Sequence, residues 1–226
     1  MSTIDSLAQS GVQPEVKPAG QEAGAWGNSA PLGLAAFAVT TFMLSMINAE
    51  LMKAPITPVV FGVALMFGGL TQLIAGVIQF RIGNAFTGVL FSTFGAFWLS
   101  LYAIAEFFLK NVVGPTPLAT VALRGQALGL FLYAFGAFTV WILVAAFRTN
   151  VMVVAARSGL AATLFVLGAG NYNGNGLTVE IGGYMGLVVA ALAAYIGLAE
   201  LCEVTYKRTV LPLFPLAKHR PGRYRK

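Results

Sequence analysis

Six charge-free apolar stretches follow one another along this chain, and they constrain its fold more than any other feature. Each is close to or above the roughly 20 mostly apolar residues that a membrane-spanning helix needs. The alternating segments of about ten residues that are typical of a membrane β-barrel are absent from the sequence. The sequence therefore predicts an all-α membrane protein, a six-transmembrane-helix bundle with spans at residues 31–49, 54–80, 82–105, 125–147, 158–179 and 181–199.

The composition excludes most other classes of protein. Of 226 residues, 58% are hydrophobic and 10% are charged, whereas a soluble domain carries about 25% charged residues. One cysteine, Cys202, and one histidine, His219, leave no internal disulfide, zinc site or histidine-based triad. No carboxylate pair or nucleophile–base pair lies within the spans. We therefore expect neither an enzyme nor a protein that holds a metal or other cofactor.

Polar sequence flanks the spans and predicts three regions. Residues 1–27 form a disordered N-terminal tail, residues 28–206 form the transmembrane domain, and residues 207–226 form a basic tail. Six spans place both termini on one side, and that side holds eleven of the 14 Lys and Arg residues. The side richer in basic residues is cytoplasmic. The sequence thus predicts a multi-pass protein of the plasma (inner) membrane, with both termini cytoplasmic and the basic tail near anionic lipid, not nucleic acid.

Two patterns within the spans bear on helix packing. Small residues recur at four-residue spacing, for example at Gly88 and Ser92 and at Gly182 and Gly186. Such stripes let helix backbones approach closely in lipid, and packing within one subunit is favoured over a subunit interface. Gly-Asn pairs follow the second and fifth spans, at residues 83–84 and 170–171, a placement compatible with an inverted three-plus-three repeat.

Polar residues inside the spans are few. Asn48 and Gln72 are predicted, from their polarity alone, to line a pathway through the bundle. For Gln72, a hydrogen bond between helices is an equally good interpretation.

Four ordered blocks of sequence resemble the acetate uptake transporter family, which includes the bacterial succinate–acetate permeases. The first block reads Asn28-Ser29-Ala30-Pro31-Leu32-Gly33-Leu34 and resembles the family signature Asn-Pro-Ala-Pro-Leu-Gly-Leu. The second runs from residues 67–76 through 83–86 to 95–98, the third covers residues 170–175, and the fourth covers residues 208–212. The similarity therefore extends from residue 28 to residue 212.

The resemblance implies a homo-hexamer in which every subunit has its own path for acetate and related small carboxylates. Family members have a central apolar constriction formed by an aromatic residue, a tyrosine and a leucine on the first, third and fifth helices. By position these are Phe37, Phe94 and Leu160, and Phe94 replaces the tyrosine. An apolar ring can gate by dewetting while it admits a methyl group. Ordinary core packing is the alternative interpretation of all three residues.

The family signature also implies a substrate site at the cytoplasmic mouth, where amide groups at the start of the first helix hold a carboxylate. Its residues here are Asn28, Ala30, Pro31, Leu32 and Gly33. Ser29 replaces the first proline of the signature, yet Asn28 can still cap the helix and Pro31 still fits its first turn. Gln79 stands where many bacterial relatives have glutamate, so proton coupling through that position is in question.

The resemblance and the apolar spans together favour a transporter or channel for acetate and related carboxylates such as succinate. Acetate would move with a proton or as the neutral acid. A channel for small neutral solutes such as urea, amides or ammonia suits the uncharged spans nearly as well. A membrane sensor that transports nothing is the third interpretation.

Overall fold

The computed structural model describes residues 26–216, and within that range it contains six long helices and no strand longer than an isolated bridge. All six helices are long and apolar enough to cross a membrane. The prediction of an all-α protein with six spans is therefore confirmed. Nearly all of the predicted N-terminal tail and the distal basic tail, residues 1–25 and 217–226, lie outside the described residues. The helices are α1 (Ala30–Asn48), α2 (Ala54–Arg81), α3 (Ala85–Asn111), α4 (Pro117–Ala146), α5 (Val151–Asn173) and α6 (Gly176–Tyr206).

Three helices begin several residues earlier than the apolar stretches predict. Helix α6 begins at Gly176 instead of residue 181, so it includes Glu180. Helix α4 begins at Pro117 instead of residue 125, and α5 begins at Val151 instead of residue 158. In both cases an arginine interrupts the apolar run, but a single charge does not end a helix. Arg124 lies on α4, and its guanidinium donates hydrogen bonds to the backbone oxygens of Val112, in the loop before α4, and of Lys110, at the end of α3, at 3.2 and 3.0 Å.

Backbone contacts at glycine hold neighbouring helices together. A Cβ atom at Gly76 of α2 would meet the backbone and hydroxyl of Ser92 on α3, and one at Gly183 of α6 would meet the end of α1 at Ala49. A Cβ atom at Gly129 of α4 would likewise meet the backbone of α5 at Gly168. Small residues thus pack helices within the subunit, as the sequence predicts. Helix α1 contacts both α2 and α6. The backbones of α3 and α4 approach each other at few positions.

The turns after α2 and α5 have the same local structure. Gly83 and Gly174 both adopt positive φ, +81° and +63°, which glycine accepts without strain. The next residue in each turn, Asn84 or Asn175, caps the following helix through its side-chain oxygen. The equivalent of Gly83-Asn84 is therefore Gly174-Asn175, not the pair at residues 170–171 that the sequence suggests. The inverted repeat itself stays a prediction.

The first residues of the predicted C-terminal tail pack against the bundle. Val151 N donates to the backbone oxygen of Phe214, and Leu216 N donates to that of Thr149, both at 3.0 Å. The Tyr195 hydroxyl of α6 donates to the backbone oxygen of Pro212 at 3.0 Å. Residues 209–216, which we call the C-terminal strap, therefore lie across the start of α5.

Candidate functional site

The three predicted constriction residues come together in the interior of the bundle. Phe37, Phe94 and Leu160 are all buried and belong to one hydrophobic cluster. The rings of Phe37 and Phe94 meet edge to face with centroids 5.6 Å apart. At 1.5 Å per residue, all three lie about 10 to 14 Å along their helices from the starts of α1, α3 and α5. Because those helices start on the same side, the three side chains lie at a similar depth, and we call this set of three residues the apolar ring.

Aromatic residues extend the apolar ring towards α4. Phe97 lies one turn beyond Phe94 on α3, with ring centroids 6.1 Å apart. It stacks on Phe131 at 5.1 Å and meets Phe135 edge to face at 5.0 Å. Such pairs stabilise packing beyond their buried area. These contacts fix the α3 side of the ring, so Phe94 has little freedom to move aside.

Hydrogen bonds join the start of α1 to α2. Asn28 Oδ1 accepts from Ala30 N at 3.0 Å, and the Ser29 hydroxyl donates to the backbone oxygen of Ala75 at 2.8 Å. The Gln79 amide nitrogen donates to Asn28 Oδ1 at 2.8 Å, and with the amide turned over its oxygen accepts from Ser29 N and Ala30 N at 3.1 Å. In either orientation of its amide, Gln79 forms hydrogen bonds with polar groups at the start of α1. Ser29 therefore supplies a bond to α2 that a proline could not make.

A polar cleft of about 430 Å³ opens beside the start of α1. Among the signature residues, Asn28 and Ala30 line it. Two features that the sequence did not associate with a site also line it, the cap Asn84 and the pair Glu200 and Glu203 on α6. We call this space the α1 cleft. It lies on the side of the bundle that carries the described parts of both termini.

The other signature residues are placed differently. Pro31 occupies the first turn of α1, as predicted, and is half-buried. Leu32 is 44% exposed on the outer surface of the bundle, and Gly33 is buried where a Cβ atom would meet the ring of Phe91. The structure thus brings only Asn28 and Ala30 to the cleft, while Gly33 allows close packing of α1 on α3.

Asn48 lies at the opposite end of the bundle and lines two neighbouring spaces. One is an inner cavity of about 240 Å³ with walls from α1 to α5, and Asn171 also lines it. The other is an open vestibule of about 580 Å³, which also contains Glu50 and Lys53. We call the first the inner cavity. The placement of Asn48 agrees with a position on a pathway, although its polarity alone suggested that role.

Gln72 has a different environment from Asn48. It is 1% exposed, and none of the described cavities includes it among its walls. Its Oε1 atom has no hydrogen-bond partner among residues 26–216. It follows a wide π-helical stretch of α2 at Ala64–Thr71, where Gly68 packs against Thr40 of α1. Gln72 is therefore buried within the bundle and lines neither the cleft nor the inner cavity.

Arg157 is the charged residue that sequence reasoning missed. The predicted start of the fifth span at residue 158 leaves it in a loop, but α5 contains it and buries it to 3% exposure. Its guanidinium carbon lies 5.9 Å from the centroid of the Phe37 ring. A signal was present in the sequence, because Arg157 precedes Leu160 by three residues in an otherwise uncharged run from 149 to 179. That spacing places both residues on one face of a helix.

Within residues 26–216, no group of three His, Cys, Asp or Glu side chains could hold a metal ion. What the arrangement offers is a cleft, a buried apolar ring and a cavity beyond it, along the direction of the helices. Such a sequence of spaces is suited to the passage of a small solute.

Comparison with known proteins identifies the family. The chain matches the GPR1/FUN34/yaaH family over residues 9–218. It is 30% identical to the succinate-acetate/proton symporter SatP of Escherichia coli, over 82% of this chain and 94% of that protein. It is 38% identical to the ammonia transport outward protein 2 of Saccharomyces cerevisiae, over 76% of this chain and 61% of that protein.

A solved structure supports the same assignment at the level of the fold. The structure of the bacterial acetate channel SatP superposes with a TM-score of 0.74 at 28% sequence identity, and covers 83% of this chain and 98% of that one. Six membrane-spanning helices make the chain a multi-pass membrane protein. On the sequence match and the shared fold together, the chain belongs to the GPR1/FUN34/yaaH family.

Proposed function

We propose that this protein carries acetate and related small carboxylates, including succinate, across a membrane through the centre of each subunit. The observation that carries the proposal is the buried apolar ring between the α1 cleft and the inner cavity. Relatives named as a succinate-acetate/proton symporter and as acetate permease A support the substrate class. They favour carboxylates over the neutral-solute channel and the sensor.

In this proposal the apolar ring of Phe37, Phe94 and Leu160 selects by dewetting. A hydrated inorganic ion would lose its water there without replacement, whereas the methyl group of acetate enters apolar surroundings. Asn28 and Ala30 receive the substrate in the cleft, and Asn48 contacts it beyond the ring. Acetate either moves as the anion together with a separate proton or crosses as neutral acetic acid. Because Gln79 replaces glutamate, the proton does not use that position.

The proposal includes the placement of the protein. It lies in the plasma (inner) membrane as a homo-hexamer, with both terminal tails in the cytoplasm and the basic C-terminal end near anionic lipid. An apolar groove of about 450 Å³ between α3 and α4, where Trp141 and Val144 are exposed, supports a neighbouring subunit at that face. The excess of Lys and Arg on the terminal side supports the orientation.

Uptake of labelled acetate into proteoliposomes tests the function. Empty liposomes are the essential control, because acetic acid crosses bilayers unaided. We expect saturable uptake above that background, accompanied by a protein-dependent change in internal pH. Acetamide, which cannot ionise, serves as the neutral competitor. Uptake equal to that of empty liposomes by folded protein would reject the proposal, and saturable acetamide flux without acetate flux would restore the neutral-solute interpretation.

Thiol labelling in intact cells tests the orientation. With Cys202 replaced by serine, single cysteines are introduced by Val113→Cys, in the loop before α4, and by Trp26→Cys, before α1; both sites are well exposed. We expect a membrane-impermeant reagent to label only the first in intact cells and both after lysis. The opposite pattern would invert the proposed orientation.

A further inference from the structure

Among residues 26–216, Arg157 is the one charged side chain that is buried, and it lies beside Phe37 of the apolar ring. It lies about 9 Å along α5 from the start of that helix, roughly one turn before Leu160. Its Nε atom is fully buried and has no hydrogen-bond partner among residues 26–216, and no described carboxylate compensates its charge. Its guanidinium carbon lies 5.9 Å from the centroid of the Phe37 ring, which makes a cation–π contact. Helix α5 thus holds a buried guanidinium whose Nε–H has no acceptor among the described residues.

A buried charge without a partner is strongly unfavourable, so this arrangement points to a missing anion. Guanidinium groups are planar, remain charged at any physiological pH and offer parallel N–H donors that match the two oxygens of a carboxylate. Glu200 and Glu203 lie on the same side of the bundle, where they line the α1 cleft. An anion that fills the position must therefore come from outside the described chain.

We propose that Arg157 binds the carboxylate of a small monocarboxylate immediately before the apolar ring. This inference rests on the proposed function and adds a residue to it. The guanidinium holds the carboxylate, and the same geometry turns the methyl group towards Phe37 and Leu160. The anion is thereby stabilised at the point where it leaves water, so acetate reaches the apolar ring without first being protonated.

Direct binding by the purified protein in detergent micelles tests this site without any gradient. A ligand that binds only the folded protein raises its melting temperature, by an amount that grows with the logarithm of the ligand concentration divided by Kd. We expect acetate at neutral pH, at constant ionic strength with chloride, to stabilise the wild-type protein, and acetamide to have no such effect. Arg157→Met should weaken acetate binding about tenfold or more, since hydrogen bonds to charged groups are the strong ones. Arg157→Lys keeps the charge, so its affinity for acetate should lie between those of the wild type and Arg157→Met.

Arg148→Met is the matched control, because Arg148 is an exposed arginine beyond the end of α4 on the same side. It should bind acetate as the wild type does. Unchanged acetate affinity in folded Arg157→Met, or equal stabilisation of the wild type by acetate and chloride, would overturn the inference. If Arg157→Met does not fold, the Arg157→Lys variant decides, since wild-type affinity there would exclude the paired guanidinium geometry.

The binding assay and the flux assay test separate claims, so either one can give a negative result without the other. Acetate binding that depends on Arg157 in a protein without acetate flux would leave this site standing and reject the transport proposal. Acetate flux together with unchanged acetate binding by Arg157→Met would support the transport proposal and reject this site.

Discussion

Single residues in this protein act through volume and through hydrogen bonds, since most of the interior is apolar. The apolar ring depends on volume. Phe94, in place of the tyrosine typical of the family, has no hydroxyl, so the ring contains no polar atom from its three members. The two buried glutamines of α2 differ in whether their amide groups have hydrogen-bond partners. Gln79 is bonded at the start of α1, while Gln72 Oε1 lacks a partner in the described chain.

A bulky side chain in the apolar ring should close the pathway. Leu160 of α5 is buried in the same hydrophobic cluster as Phe37 and Phe94, so Leu160→Trp adds volume inside the bundle. We expect loss of saturable acetate uptake in proteoliposomes while the protein remains monodisperse. Leu130→Trp, at a position that is 68% exposed on α4, is the control and should transport normally. Normal uptake in folded Leu160→Trp would exclude a route through the ring.

The two buried glutamines of α2 should respond oppositely to an apolar replacement. Gln79→Leu removes the partner of Asn28 and Ser29 and should lower the free energy of unfolding by about 1–3 kcal/mol. Gln72→Leu removes an amide with an unsatisfied oxygen and should leave stability unchanged or higher. Thermal unfolding in detergent compares them. Equal destabilisation would mean that Gln72 has a polar partner, such as bound water, and normal acetate uptake in Gln72→Leu would remove it from the pathway.

Whole helices are positioned by close backbone contacts rather than by any apolar face. Gly76 is the clearest case, because a side chain there would meet the backbone of α3 at Ser92 and Gly88. Gly62, on the same helix, has open space around it. The sequence predicted such packing from spacing alone. It could not say which glycines touch which helix, because each stripe fits several neighbours equally well.

Gly76→Val should therefore separate α2 from α3. Overpacking a well-filled interface destabilises a protein by typically 1–3 kcal/mol, and here the obstacle is backbone, which cannot change rotamer. Gly62→Val introduces the same side chain into the same helix and should have little effect. The melting temperatures of the two variants in one detergent measure the difference. Equal melting temperatures would show that α2 and α3 can move apart freely.

At the scale of the whole molecule, the C-terminal strap connects α5 and α6 on the side of the α1 cleft. Leu213 of the strap packs on the hydrophobic core and also lines the cleft. The resemblance to the family at residues 208–212 marks this segment in the sequence, but composition alone does not distinguish it from the basic tail. Backbone hydrogen bonds from Val151 and Leu216, which no residue pattern reports, hold it in place.

Loss of the Tyr195 hydroxyl should loosen the strap. Tyr195→Phe removes the hydrogen bond to the backbone oxygen of Pro212, and such a bond contributes about 0.5–1.5 kcal/mol. We expect faster proteolysis of the strap in Tyr195→Phe than in the wild type. Tyr184→Phe, at an exposed tyrosine of the same helix, should be cleaved at the wild-type rate. Identical cleavage in all three proteins would mean that the backbone bonds alone hold the strap.

The sequence by itself determined the six spans, the shared side of both termini and the resemblance that located Phe37, Phe94 and Leu160. These follow from the length and charge of each stretch and from ordered motifs. Only the tertiary structure decided which face of each helix points inwards. In lipid, both the outer surface and the core are apolar, so hydrophobic periodicity does not separate Leu32, on the outside, from Phe37, in the ring. The charge of Arg157 interrupts the apolar run and predicts a loop there, whereas the tertiary structure buries Arg157 within α5 beside Phe37.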